Sequence, residues 1–406
     1  MTETPMMPIH VRRDKFDPVA ELAKMRDEAP LTGVTMLSGN KAWLATRYQE
    51  VRQVLGDTAH FSNQFGAGNR GPLQGNNSTP FESGSDSGTK RIETGFLLGY
   101  DPPDHTRLRK LLTGAFTVAR MRRIQPRVSA IITEHLDAMA SGGSSADLIS
   151  AFALPVPSLV ICELLGVPYD ERDDFQRWSR DRLNMSIDFE DRIAAGDQAR
   201  AYMADLIAQQ RKTPGDAMIG MLIKDHGDEI SDTELTGVAD LLLLAGHETT
   251  SNMLGLGSLL LLRKPDQLAL MRDPAKVDTA VEELLRYLSV VHTVMPRVAI
   301  EDIVVGGQLV KAGEPVMCSL PAANRDPALG DDMEDIDLTR EITSHLAFGH
   351  GIHHCLGAPL ARMEMRIGYP ALFDRFPTLR LAVPFDEVEF RSFSVIYGLA
   401  SLPVAW

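Results

Sequence analysis

Apolar residues recur at three- and four-residue spacing through much of the chain, the period that puts them on one face of an α-helix. The pattern predicts helices over Val128–Met139, Ala151–Leu165, Ile193–Arg211, Ser231–Leu262 and Pro274–Leu288. Alternating or β-branched runs are fewer and shorter. Trp43–Thr46, Glu314–Leu320 and Leu399–Trp406 read as strands. Ile303-Val304-Val305 and Gln308-Leu309-Val310 flank Gly306-Gly307 and read as a hairpin. The fold class that follows is mainly α with small β-sheets.

The longest helix has the clearest ends. Ser231-Asp232-Thr233-Glu234 is a capping box, which predicts a start near Asp232, and Pro265 should stop the helix after Arg263 and Lys264. About 32 residues at 1.5 Å each make ~48 Å, enough to cross a whole domain. Its middle is rich in Leu, Ala and Gly, yet Ala245-Gly246-His247-Glu248-Thr249-Thr250 sets polar groups there. Burying a carboxylate and hydroxyls is costly unless they are partnered or used. Threonine can bond back one turn and bend the helix, and Gly246 weakens it locally and can admit a flat ligand. The alternative is a polar face turned to solvent.

Composition narrows the setting. The 406 residues are 44% hydrophobic and 24% charged, with a formal charge of −14 that argues against general nucleic-acid binding. The polar stretch Met1–Phe16 offers no signal or anchor, and Val238–Leu262 is too interrupted to span a membrane, so a cytoplasmic protein is expected. Three scattered cysteines imply no disulfide framework. Cys162 and Cys318 stand in apolar contexts and read as packing residues. Asn63 to Lys90 is dense in Gly, Asn and Ser and reads as a long mobile loop. From His105 to Ile132 there is no Asp or Glu, but Arg107, Arg109, Lys110, Arg120, Arg122, Arg123 and Arg127 all occur. That is a basic patch in an acidic protein, or a solvated helix face.

The densest chemistry lies in Phe348-Gly349-His350-Gly351-Ile352-His353-His354-Cys355-Leu356-Gly357. One cysteine ends a glycine-punctuated loop, and Ala358-Pro359-Leu360-Ala361-Arg362-Met363-Glu364 opens a helix, with Pro359 suited to its first turn. A thiol at a helix N-terminus is favoured as thiolate, which is what an axial haem ligand requires. Two other readings stand beside it: a buried free cysteine, and a zinc site using His350, His353, His354 and Cys355.

The run resembles the haem-binding loop of the cytochromes P-450, Phe-Gly-x-Gly-x-His/Arg-x-Cys-x-Gly, at Phe348, Gly349, Gly351, His353, Cys355 and Gly357. Ala245 to Thr249 resembles the same family's Ala-Gly-x-Asp/Glu-Thr motif. Glu283 and Arg286 resemble its Glu-x-x-Arg pair, with Arg340 as third member. One departure is Ala328-Leu329-Gly330-Asp331-Asp332, where the family commonly shows Phe and Pro.

The resemblance covers the whole chain and implies a single cytochrome P-450 domain over residues 1–406. A haem would lie between the long central helix and the helix after Cys355, and residues 63–99 would form a mobile loop over the substrate pocket. It implies haem b bound by Cys355 as metal ligand, with Phe348, Gly357, Ala245 and Gly246 against the ring and His105, Arg109, Arg297 and His353 on its propionates. It assigns Thr249 and Glu248 to dioxygen binding and proton delivery, and places Leu244, Val291, His292, Val294, Val395 and Ile396 at the pocket. The activity implied is monooxygenation, a hydroxylation or epoxidation of a lipophilic small molecule in secondary metabolism or xenobiotic oxidation. Without a flavin or nicotinamide fingerprint, the chain, expected to be a monomer, would draw electrons from NAD(P)H through a ferredoxin reductase and an acidic ferredoxin docked on the basic patch. The alternatives are a peroxygenase driven by hydrogen peroxide and a non-catalytic haem-binding sensor or partner protein.

Overall fold

The computed structural model describes residues 7–36, 39–64, 94–168, 171–183, 187–341, 344–391 and 396–406. Its axis is the central helix, Asp232–Arg263, 32 residues long. The capping box forms as predicted: Ser231 Oγ accepts from the Glu234 N–H at 3.2 Å, and Glu234 accepts from the Ser231 N–H at 3.0 Å. From Ser251 to Leu261 every residue of this helix is buried. The helices Pro155–Leu165 and Phe189–Lys212 pack along it, as does Ala358–Arg375, the helix that follows Cys355 and is called the Cys-loop helix below. Gly257 and Tyr369 set how closely the last of these approaches. Tyr369 Oη donates to the Met253 carbonyl at 2.5 Å, and a Cβ on Gly257 would overlap the Tyr369 hydroxyl.

The largest β-layer has five strands in the order Leu31–Thr35, Lys41–Ala45, Pro315–Cys318, Arg297–Ala299, Phe61–Ser62. Only the Lys41–Ala45/Pro315–Cys318 pair is parallel, with Trp43 opposite Val316. A three-stranded sheet joins Ser145–Asp147 and Arg380–Leu381 to Pro403–Ala405. The hairpin Ile303–Val305/Gln308–Val310 turns through Gly306 and Gly307 at φ +55° and +87°. A two-residue turn with both central residues left-handed asks for glycine at both.

Element ends moved where proline or turn chemistry decided them. The helix expected from Pro274 begins at Val277, because Asp273 first closes a turn by accepting from the Ala275 N–H at 2.9 Å. The helix expected from Ala151 begins at Pro155, after a wide π-turn over Ile149–Ala153; a proline without an N–H opens a helix better than it continues one. The helix expected from Val128 extends back through Pro126 to Val118, carried past the proline by buried Met121 and Val128.

One buried network pins the Val277–Leu288 helix to residues 324–340. Arg286 is fully buried, and its guanidinium donates to both Glu283 oxygens at 2.7 and 2.8 Å. It also donates to the carbonyls of Asn324, Met333 and Asp335 at 2.7 to 2.9 Å. Arg340 completes the predicted trio at 3.3 Å from Glu283. The divergent loop takes part through its backbone: Arg340 donates to the carbonyls of Asp331 and Asp332 at 2.8 and 3.0 Å.

Candidate active site

Cys355 follows a short turn over Gly351–His353 and stands three residues before the Cys-loop helix begins. It lies deep within the protein, yet its surface is accessible, as for a side chain lining an internal cleft. Its N–H donates to the Phe348 carbonyl at 2.9 Å, which closes the loop on itself. Burial pushes its thiol up, while N–H groups of Gly357 and Ala358 and the cations Arg109 and Arg362 pull the other way. That balance fits a thiolate once a cation binds it.

Glycine conformations explain the loop. Gly349 and Gly351 have φ of +72° and +75°. A Cβ on Gly351 would strike the Leu55 carbonyl at 2.4 Å, so this glycine admits the helix Tyr48–Gly56. At Gly357 a Cβ would stand in open space.

The four predicted propionate partners gather around His353, two residues before Cys355. His105 and Arg109 come from the helix Asp104–Thr113, Arg297 from a strand of the main sheet, and His353 from the loop. The two imidazoles sit 4.2 Å apart between ring centres. Neither ring nitrogen of His105, nor either of His353, has a hydrogen-bond partner in the geometry, although the Tyr100 backbone lies near His353. Burial holds His353 at about 3, helped by Arg297, His105 and Arg109, and it lowers His105 as well. Arg109 and Arg297 donate to the carbonyls of His354 and Met295 at 2.6 and 2.9 Å. Unpaired buried nitrogens among cations need an anion or acceptor. The propionates of a haem supply acceptors of that kind, so these residues fit the group.

The zinc reading does not hold. Among the described residues no three His, Cys, Asp or Glu side chains gather as a metal site.

On the central helix, Ala245 is exposed and Thr249 half-buried, one turn apart on a helix that is otherwise almost wholly buried. Thr249 Oγ1 donates to the Ala245 carbonyl at 2.7 Å, which leaves its lone pairs free to accept. Gly246 packs against a neighbouring helix. A Cβ there would meet the Ile161 side chain at 3.1 Å, so the missing side chain also serves helix packing. Glu248 differs from a free acid. It is buried, 2.9 Å from Arg391 and 3.2 Å from the Asn252 amide. The Asn252 contact lies at the i,i+4 helix spacing and was readable from it. Arg391, 143 positions away, left no local signal.

The pocket residues divide. Val291 bridges to Ile396, and Val294 stands 4.0 Å from where a Gly349 Cβ would be. Leu244 is buried on the central helix. His292, expected as a polar substrate contact, is buried toward the N-terminal segment. Its Nδ1 accepts from Arg13 Nε at 3.5 Å, and its ring meets Tyr397 edge-on. Val395, and residues 65–93 of the expected loop, lie outside the described residues.

The basic stretch is free of acids in sequence but not in space. Arg107 pairs with Glu234, and Arg127 with Glu134 and Glu163. Arg122 and Arg123 remain exposed, with Asp216 in the field of Arg123. Cys162 and Cys318 are buried packing residues, their thiols pushed up to about 12 by burial. No helix among the described residues is long and apolar enough to cross a membrane.

Comparison with known proteins agrees with this geometry. A family model described as Cytochrome P450 matches residues 276–380. "Cytochrome P450 165B3" of Amycolatopsis orientalis is 44% identical, with all of both chains covered. "Vitamin D3 dihydroxylase" of Streptomyces griseolus is 41% identical, covering 95% of this chain and 93% of the relative. The solved structure of P450 StaH from glycopeptide antibiotic A47934 biosynthesis is 47% identical, with a TM-score of 0.87 over 98% of this chain and 100% of that one. The thiol in its cleft, the unsatisfied imidazoles and full-length likeness together place the chain in the cytochrome P450 family, the haem-thiolate monooxygenases.

Proposed function

We propose that the whole chain is one monooxygenase domain and that Cys355 holds its haem iron. The observation that carries this is the open Cys355 at a helix start beside two buried imidazoles: His105, neither of whose ring nitrogens has a partner, and His353, whose ring nitrogens have no partner but the Tyr100 backbone. His105, Arg109, Arg297 and His353 hold the propionate edge, and Phe348, Gly357 and Ala245 border the ring. The bound haem supplies the activation of dioxygen, favoured by thiolate ligation.

The protein's own part is to position and to move protons. Thr249 accepts a proton-bearing water through its free lone pairs. Glu248 lies on the outward route, because its partner Arg391 lines a cavity of about 380 Å³ with Met7, Val11, Arg12 and Lys15. Leu244, Val291, Val294 and Ile396 give the pocket an apolar lining, which supports a lipophilic organic substrate. The names of the relatives, spanning antibiotic biosynthesis and vitamin D3, support the same breadth. Electrons come from NAD(P)H through a reductase and an acidic ferredoxin in the cytoplasm, with the ferredoxin meeting exposed Arg122 and Arg123.

The reduced carbon-monoxide complex tests the assignment. The wild type shows the red-shifted absorption band that gives the family its name, and Cys355→Ser loses it. A serine variant that keeps the band would overturn the ligand assignment.

A further inference from the structure

Two adjacent carboxylates on the Val277–Leu288 helix do different work. Glu283 holds Arg286 and Arg340, as the family motif leads one to expect. Glu282 faces elsewhere. It is buried and receives a two-pronged contact from Arg362, with Nε at 2.6 Å and the second nitrogen at 2.8 Å. His345 reaches the same carboxylate at 3.1 Å through Nε2. The His345 tautomer is fixed by its other nitrogen: Nδ1 accepts the Ala347 N–H at 3.2 Å, so a neutral ring carries its proton on Nε2, toward Glu282.

These contacts enclose the cysteine loop. His345 enters it, three residues before Phe348. Arg362 leaves it, seven residues after Cys355. The Arg362 guanidinium lies over the Phe348 ring at 4.5 Å, and the Phe348 carbonyl takes the Cys355 N–H. One carboxylate therefore ties both ends of the loop and caps the cation that stands over its aromatic residue. Arg366 adds a weaker contact at 3.8 Å. Arg362 is also one of two cations whose field reaches the Cys355 sulfur.

We infer that Glu282 is a positioning residue that, through Arg362, sets the reduction potential of the Cys355-bound iron. This rests on the reading of Cys355 as ligand. Reduction adds one negative charge at the iron, so an uncompensated cation nearby favours it and an uncompensated anion opposes it. Glu282 now offsets the Arg362 charge. Glu282→Gln removes the offset, and Arg362→Gln leaves the carboxylate uncompensated. The two changes must therefore move the potential in opposite directions, whereas mere loosening of the loop would move it one way for both.

The test is a dye-mediated dithionite titration of the haem-loaded protein without ferredoxin. Glu282→Gln should favour reduction about tenfold, a rise of 59 mV for one electron, and Arg362→Gln should disfavour it by a similar factor. The double variant should return to within about threefold of the wild type, and Glu282→Asp, which keeps the charge, should stay near the wild-type potential. Should Glu282→Gln fail to fold, Arg362→Gln and the double variant still decide the matter. Shifts of the same sign, or a lowered melting temperature with an unchanged potential, would overturn the inference and leave a purely structural brace. A wild type without the carbon-monoxide band would overturn the ligand assignment itself, and this inference with it.

Discussion

Thr249→Ala is the most direct probe of proton delivery. The hydroxyl donates to the Ala245 carbonyl at 2.7 Å, and that carbonyl lies one turn back in an unbroken helix, where the backbone N–H of residue 249 can still serve it. The substitution therefore strands no buried polar group and should change stability by less than about 1 kcal/mol. Its effect falls on what the free lone pairs accept. A hydrogen bond of ordinary strength is worth about 1 kcal/mol net, roughly a fivefold change in the partition between productive and wasted turnover. Thr249→Ala should thus bind haem and substrate normally, consume reducing equivalents, and lower the ratio of product to hydrogen peroxide about fivefold. Thr249→Ser, which keeps the hydroxyl, should recover most of it. The assay compares product, peroxide and reductant consumed under one set of conditions. An unchanged ratio in Thr249→Ala would move the relay to Thr250 or to the Glu248–Arg391 pair.

Other outcomes follow from the buried ion pairs and the exposed cations. Arg286→Met leaves Glu283 with only Arg340 and the Asp337 N–H and strands three carbonyls, so denaturant titration should show a loss of about 3–5 kcal/mol; a loss under about 1 kcal/mol would refute the network's weight. Burial pushes the Glu282 carboxyl up, but the hydrogen bonds from His345 and Arg362 and the Arg362 charge outweigh it and hold it at about 2, against an ordinary 4.5. A depressed carboxyl stabilises the fold above its unfolded value and loses that contribution as pH falls, so about 3 kcal/mol should disappear between pH ~4.5 and ~2, and Glu282→Gln should flatten that part of the stability profile. Reversing Arg122 and Arg123 to Glu should slow ferredoxin-driven turnover, most strongly at low salt, and leave peroxide-driven turnover unchanged. Equal effects on both routes would place the docking face elsewhere.

What was legible in the sequence was what a local pattern controls. The capping box and Pro265 bounded the central helix correctly, and two glycines placed the hairpin turn. The ten-residue loop named Cys355 because its chemistry is contiguous. What escaped was long-range pairing. Arg391 meets Glu248, Arg13 meets His292, and Arg362 meets Glu282 across gaps that no spacing rule spans. Two residues acquired neighbours for the same reason. Gly246, read as room for a ligand, also packs against Ile161, and His292 looked like a pocket contact but is covered by Arg13 of the N-terminal segment. A side chain's partner is decided by packing between elements, and that information is not carried in the residue's own neighbourhood.

The two sides of the site are therefore built differently. On the cysteine side, Phe348, Cys355 and Gly357 are fixed by loop geometry, and the brace behind them is closed, each hydrogen-bonding group of Glu282 and His345 being engaged. A closed brace suits a ligand whose electronic character must stay constant from turnover to turnover. On the central-helix side, Thr249 keeps its lone pairs free, and Glu248 is tied to an arginine on the rim of a cavity. A group that hands on protons must be able to exchange partners, and an ion pair at the edge of a cavity can do so at lower cost than one sealed in the core. On the proposed reading the rigid side would hold the metal and the exchangeable side would pass protons. The partner cations Arg391 and Arg362 are about equally exposed, at 27% and 26%, so the difference between the two acids lies in their contacts: Glu282 is held through both oxygens by Arg362 and His345, whereas Arg391 and Asn252 hold Glu248 through one oxygen.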